Sequence, residues 1–224
     1  MFFDPRYLIM MAPALLLAAI ASFYTKQTFQ KYARVRAASG VTGAQAAAML
    51  LENAGIGHVR IERTSGFLGD HYDPLSHTLR LSSGVYDSPS LSAIGVACHE
   101  AGHAIQHAGR YLPLYLRSAL VPATQLGSHG SYIIFFLGLI FNNPALLMLG
   151  VALFSLVVIF SVITLPVEWN ASARAKRLMV SAGIVTPAEQ PRAAAVLNAA
   201  FLTYVAAVIS AIMTLLYYLM RARR

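Results

Sequence analysis

The sequence predicts a mainly α integral membrane protein, four transmembrane helices with a small α+β domain at the membrane surface. Three observations predict this. First, 57% of the 224 residues are hydrophobic and only 12% are charged, against roughly a quarter charged in an ordinary soluble domain. Second, apolar runs long enough to cross a bilayer recur along the chain. Third, the basic residues flank those runs. The net charge of +8 is therefore read as lipid-headgroup contact and topology, and a nucleic-acid partner is excluded. The one cysteine, Cys98, rules out an internal disulfide framework and a multi-cysteine metal site; it reads as a small packed residue.

The first span is 7–24, charge-free and followed by Lys26, Lys31, Arg34 and Arg36. A signal peptide fits it poorly. Asp4 and Pro5 precede it, bases follow it, and no small-x-small cleavage site ends it. Segment 25–118 is long enough for a small domain. Within it, 41–56 reads as a helix capped by Thr42 with Gln45 and stopped by Gly55. Val59–Glu62 and Thr78–Ser82 alternate like short strands, with a turn-rich loop, Gly66–Pro74, between them. Thr78–Ser82 is a candidate edge strand to which an extended peptide could add, or else a plain hairpin strand. Ser88 as N-cap, Pro89 at the first position and Gly109 past the end bracket a long helix, 89–108.

Residues 119–165 hold 47 positions without Asp, Glu, Lys or Arg, too many for one span of about 20. Asn142, Asn143 and Pro144 divide them into spans at 119–141 and 145–165. The polar Gln125, Ser128 and His129 of the first must then face protein or a polar cavity. Segment 166–185 follows as a helical stretch and loop. The last helix, 187–220, has Thr186 as N-cap and Glu189 as box partner, and contains the fourth span. Four spans put 13 of the 17 bases on one face, which the positive-inside rule makes cytoplasmic. Arg221, Arg223 and Arg224 argue the other way. Arg174, Lys176 and Arg177 read as a headgroup-contacting face.

The chemistry lies on helix 89–108, in His99-Glu100-Ala101-Gly102-His103. Positions four apart share a helix face, so both imidazoles can converge on one ion. Neutral imidazole suits Zn²⁺, and two histidines with one further ligand leave a position open for water. Glu100, the one charged residue within 89–108, is placed to take a proton from that water as it attacks a carbonyl. This is the HExxH arrangement. The bland alternative, two polar histidines on a solvated face, does not explain the acid between them. The third ligand is open at this point. His107 is too far along the helix to join easily, and His58, His71, His77 and His129 carry no pattern. Glu168, just past the third span, is either the ligand or a span-end acid, serving as an interfacial anchor or balancing the dipole at a helix start.

Pro166-Val167-Glu168-Trp169-Asn170-Ala171-Ser172, taken with the HExxH run, resembles the YugP-like family of membrane zinc metallopeptidases. Gly69–Pro74, Leu81-Ser82 and Val85-Tyr86 resemble the family pattern ahead of the zinc helix. The resemblance covers most of the chain, including the four-span layout. It implies a zincin-like domain and a gluzincin-type site, with His99, His103 and Glu168 on zinc and Glu100 as general base. The family usually has Asp where this chain has Asn170, and an Asp there would orient a zinc histidine. His71 or Tyr72 is a candidate donor to the oxyanion of the tetrahedral intermediate, with a structural loop role as the alternative.

The expected activity is zinc-dependent peptide hydrolysis close to the bilayer, on peptides or membrane-protein loops and tails. The expected setting is multi-pass in the bacterial inner membrane, with the catalytic domain cytoplasmic. A membrane-protein partner or a second copy of the chain is a further candidate. The rival readings are an HtpX-like quality-control protease, which would typically carry an acid where this chain has Ser172, and a non-proteolytic zinc-containing scaffold or assembly subunit.

Overall fold

The computed structural model describes residues 5–65 and 69–223. Asp4, the Gly66-Phe67-Leu68 part of the turn-rich loop and Arg224 lie outside the described residues. Seven helices and three strands follow in order: α1 Pro5–Ala33, α2 Gly43–Asn53, β1 Arg60–Thr64, β2 His71–Asp73, β3 Thr78–Ser82, α3 Ser83–Tyr86, α4 Leu91–Ala108, α5 Leu112–Ile140, α6 Pro144–Ser181 and α7 Gln190–Ala222. The protein is mostly helical, with one small mixed sheet. Among the described residues, three helices are long and apolar enough to cross a membrane: Tyr7–Ala33, Pro144–Ser181 and Gln190–Ala222. α5 has 29 residues but is not one of them, because Gln125, Ser128 and His129 dilute its apolar run.

Contacts divide the chain into two units. One comprises the chain up to Ser22, Tyr115–Pro166 and the chain from Leu202; the other comprises Phe23–Leu114 and Val167–Phe201.

In the first unit, glycines let α5 and α6 pack closely. A β carbon at Gly127 would lie 2.8 Å from the Leu153 carbonyl oxygen, and one at Gly150 2.8 Å from the Phe135 side chain. Helices in lipid associate through close backbone packing of this kind. Phe135 stacks on Tyr218 at 3.8 Å between ring centres, and Phe154, Val151 and Leu147 complete that core. The predicted turn is present. Asn142 takes a left-handed φ of +47°, and the Asn143 side chain accepts from the backbone N–H groups of Ala145 and Leu146. Of the two surroundings expected for the polar side of α5, protein or a polar cavity, protein does not cover it. Gln125 and His129 are exposed; their neighbourhood is satisfied along the helix, where Ser128 donates to the Gln125 carbonyl and the His129 ring meets it too.

In the second unit, α2 packs on α4 through Ala46, Ala47, Leu50 and Leu51 against Leu91, Ile94, Ala97 and Cys98, all buried. A β carbon at Gly43 would collide with the Val85 carbonyl. The Thr42–Gln45 capping box starts α2 as its sequence predicts, and Gly55 leaves it at φ +74°. The sheet order is β1-β3-β2, with β1 parallel and β2 antiparallel to β3. This corrects the edge-strand reading of Thr78–Ser82: β3 is central and paired on both sides. Its Leu79 and Leu81 are fully buried, which is what drew it inward. β2 falls in the segment read as loop, too short at three residues for alternation to reveal it.

Two helix starts also differ from the sequence reading. α4 is capped by Ser90, whose side chain accepts from the Ala93 N–H. Ser88 instead donates its hydroxyl to Ser90. The Thr186–Glu189 box forms as expected but closes a turn ahead of α7. Past the third apolar run, 166–181 is not a separate element. It is the end of α6, which runs unbroken for 38 residues with Pro166 inside it.

Candidate metal centre

α4 carries the first two donors and α6 the third. The crossing of these helices is set by small residues: a β carbon at Gly102 would lie 2.7 Å from the Ala171 carbonyl oxygen. Any larger residue there would hold α6 away. α4 is anchored from behind by Ser92, which donates to the Phe29 carbonyl at 2.7 Å, and by a backbone bond from Leu91 N–H to the Val35 carbonyl at 2.9 Å.

His99, His103 and Glu168 converge. Their ligand atoms all lie within 4.8 Å of one another. His99 Nε2 is 3.1 Å from Glu168 Oε2, and His103 Nε2 is 3.5 Å from the same oxygen. Zinc–nitrogen and zinc–oxygen bonds of about 2.0–2.2 Å place neighbouring tetrahedral ligands about 3.3 Å apart. The two separations from Glu168 bracket that value, and all three donor atoms lie within 4.8 Å of one another, so the donor set suits zinc. Glu168 is 2% exposed, a carboxylate withdrawn from water and facing two imidazoles.

The far side of each ring is also held. The Gln106 side-chain NH₂ donates to the Val167 carbonyl at 2.8 Å and to Asn170 Oδ1 at 3.0 Å. A carbonyl can only accept, so this orientation is fixed and Gln106 Oε1 must face His103 Nδ1, 3.0 Å away. That nitrogen therefore carries a hydrogen, which leaves Nε2, the nitrogen facing Glu168, as the one that can bind a metal once it gives up its own proton. Ser172 Oγ stands 3.1 Å from His99 Nδ1 and can hold the other ring in the same tautomer. Such partners fix orientation and raise ligand basicity. Gln106 and Ser172 were not picked out from the sequence. The signal available for Gln106 was its position three residues beyond His103, on the same face.

Glu100 lies between the histidines on α4 and is half-buried. Burial raises its carboxyl above the usual carboxylate range, against the opposing pull of His99 and His103. For His103, burial works toward a lower pKa, but the hydrogen bond to Glu168 and the charges of Glu100 and Glu168 outweigh it and leave the group raised. Both acids thus share one small volume with both imidazoles.

The remaining expectations fall elsewhere. His71 is exposed on β2, its Nδ1 2.7 Å from the Gly69 carbonyl. The Tyr72 hydroxyl meets His107 Nδ1 at 3.0 Å. Neither residue is part of the three-donor cluster. Asn170 does not hold a histidine directly: its Oδ1 accepts from Gln106 and, at 2.7 Å, from Arg174 Nε. It braces the residue that braces His103. Cys98 is fully buried, as read, and burial pushes its thiol up to about 12.

The sequence matches, over residues 7–223, the model of a family described as "Putative neutral zinc metallopeptidase". It is 44% identical over 207 residues to the "Putative membrane protease YugP" of Bacillus subtilis (strain 168), covering 92% of each chain. No solved structure matches.

Proposed function

The chain belongs to that zinc metallopeptidase family, and from this premise we propose that it is a membrane-bound, gluzincin-type endopeptidase. The single observation that carries the reading is the convergence of His99 Nε2, His103 Nε2 and Glu168 Oε2 on one point, with both rings held from behind. A structural zinc site takes four protein ligands, whereas a catalytic one takes three and leaves a position open. Among the described residues, the cluster offers three.

Zinc, when bound there, supplies Lewis-acid chemistry, polarising a carbonyl and acidifying water. The rest is done by the chain. Glu100 takes the proton of the attacking water and returns it to the leaving amine. Glu168 neutralises charge from its buried position. Gln106 and Ser172 keep both Nε2 lone pairs facing inward. His71 or Tyr72 donates to the developing oxyanion once substrate is seated, a role that rests on the neighbourhood of β2 alone.

The substrates are peptides or membrane-protein segments near the bilayer. The support is covalent: Glu168 sits on the same unbroken helix as the third apolar run. α5 serves as a fourth span, its charge-free stretch being the support. With four spans, the bias of the bases places the catalytic domain on the cytoplasmic face of a bacterial inner membrane.

The test is the metal content of the detergent-purified chain beside Glu100→Gln and Glu168→Ala. One zinc per chain is expected in wild type and in Glu100→Gln, and a loss of zinc in Glu168→Ala. Equal zinc in all three would overturn the ligand assignment.

A further inference from the structure

Three histidines outside the zinc cluster stand together at the far end of α4. The His77 and His107 ring centres are 5.3 Å apart and tilted by 35°. His58 and His77 are 6.3 Å apart. His107 is the last of the α4 stripe that starts at His99 and His103, one turn beyond the metal centre. His77 closes the turn between β2 and β3, and His58 lies in the turn ahead of β1. Three separate stretches of chain therefore bring one imidazole each to the same patch.

We propose that His77 and His107 bind a second divalent transition-metal ion, with His58 joining them only when its side chain moves inward. Two imidazoles on one tetrahedral ion place their ring centres about 5 Å apart, since each centre lies about 3.1 Å from the metal. The 5.3 Å spacing meets that value. It also compares with 4.8 Å between His99 and His103, the pair that the family's chemistry places on zinc. His58 is about an ångström farther out and exposed, within reach of a rotamer change.

The backbone at His77 is a second observation. His77 has φ +49°, in the left-handed region that non-glycine residues rarely adopt. Glycine or asparagine would sit there more cheaply. The turn is nonetheless pinned, because the Arg60 N–H donates to the His77 carbonyl at 3.1 Å. The ring of His107 is also steadied, because its Nδ1 meets the Tyr72 hydroxyl at 3.0 Å. Imidazole sites of this kind take Zn²⁺, Cu²⁺ or Ni²⁺. An ion held here ties the end of the zinc helix to the sheet.

The test is Zn²⁺ titration of the tag-free, chelator-stripped full chain in detergent, read by competition with a chromophoric chelator. Wild type is expected to take two equivalents, one tight and one weaker. Glu168→Ala should lose the tight equivalent and keep the weaker. His77→Asn, which tolerates the left-handed backbone, and His107→Gln should keep the tight one and weaken the other by at least tenfold. His58→Ala, at an exposed position, should weaken it less. A single equivalent in wild type would overturn the proposal. So would a second equivalent indifferent to His77→Asn and His107→Gln, which would mark adventitious binding elsewhere. Failure of the first centre would appear separately, as indifference of the tight equivalent to Glu168→Ala.

Discussion

Gln106 decides which nitrogen of His103 carries its hydrogen, and it does so through groups that leave it no choice. Its NH₂ is bound by the Val167 carbonyl and Asn170, so its oxygen must face the ring. Gln106→Met fills the same space without either function; it is expected to weaken zinc binding 10- to 100-fold, as loss of such a supporting bond does, read by chelator competition. Gln106→Glu should be no better, because it sets a carboxylate against two acceptors. Ser172→Ala should act on His99 in the same range. Asn170→Asp keeps both acceptor bonds, with a charge-assisted partner in Arg174. It should leave zinc affinity equal or tighter. The pair His99 and His103 with Glu100 was legible because i, i+4 spacing is a one-helix property. Glu168 needed the resemblance, since a lone acid at a span end has a bland reading. Gln106 and Ser172 were not legible, because their roles depend on where α6 crosses α4, which no local pattern encodes.

At the scale of elements, the crossing of α4 and α6 rests on Gly102. Gly102→Ala sets a methyl 2.7 Å from the Ala171 carbonyl oxygen, backbone against backbone. Overpacking of this kind costs about 1–3 kcal/mol, and relief by separation of the helices carries Glu168 away from the histidines. The expected result is a lower melting temperature together with lower zinc content; unchanged zinc would show that the crossing tolerates more than the packing implies. The sheet offers a pH test. Asp73 accepts from Ser76, Arg80 and the Leu75 N–H, and these bonds, Ser76 foremost, hold its carboxyl well below the usual range. A group lowered by folding contributes stability above its unfolded value near about 4, and that contribution is lost as pH falls toward the folded value. Asp73→Asn should therefore cost about 1 kcal/mol at neutral pH, with the gap to wild type closing as pH drops below about 4 in thermal melts. The capping box of α2 and the Thr186–Glu189 box of the turn ahead of α7 were readable because their partners are three residues apart. β3 was read as a strand but not as a central one, because pairing partners distant in sequence decide that. The unbroken run of α6 through Pro166 was missed because a proline at a change from apolar to mixed composition suggests a boundary.

For the whole molecule, composition and the apolar runs announced the membrane, and the family comparison agrees in naming a relative a membrane protease. Three helices meet the length and hydropathy of a span among the described residues; α5 falls short because even its charge-free part, from Ala119 on, is polar in places, which counting charges alone did not weigh. Since zinc binds only the folded unit that assembles His99, His103 and Glu168, it should raise that unit's stability by about 2.7 kcal/mol at a free concentration 100 times its dissociation constant. A chelator should lower the melting temperature of wild type and leave Glu168→Ala unmoved. The central claim is that the three-donor cluster and Glu100 together cleave peptide bonds. The most direct measurement is the rate of casein cleavage by wild type and Glu100→Gln at equal zinc content. The account predicts cleavage by wild type and a loss of at least 100-fold in Glu100→Gln, the lower end of what a general base contributes. Equal rates in the two proteins, each holding one zinc, would contradict it.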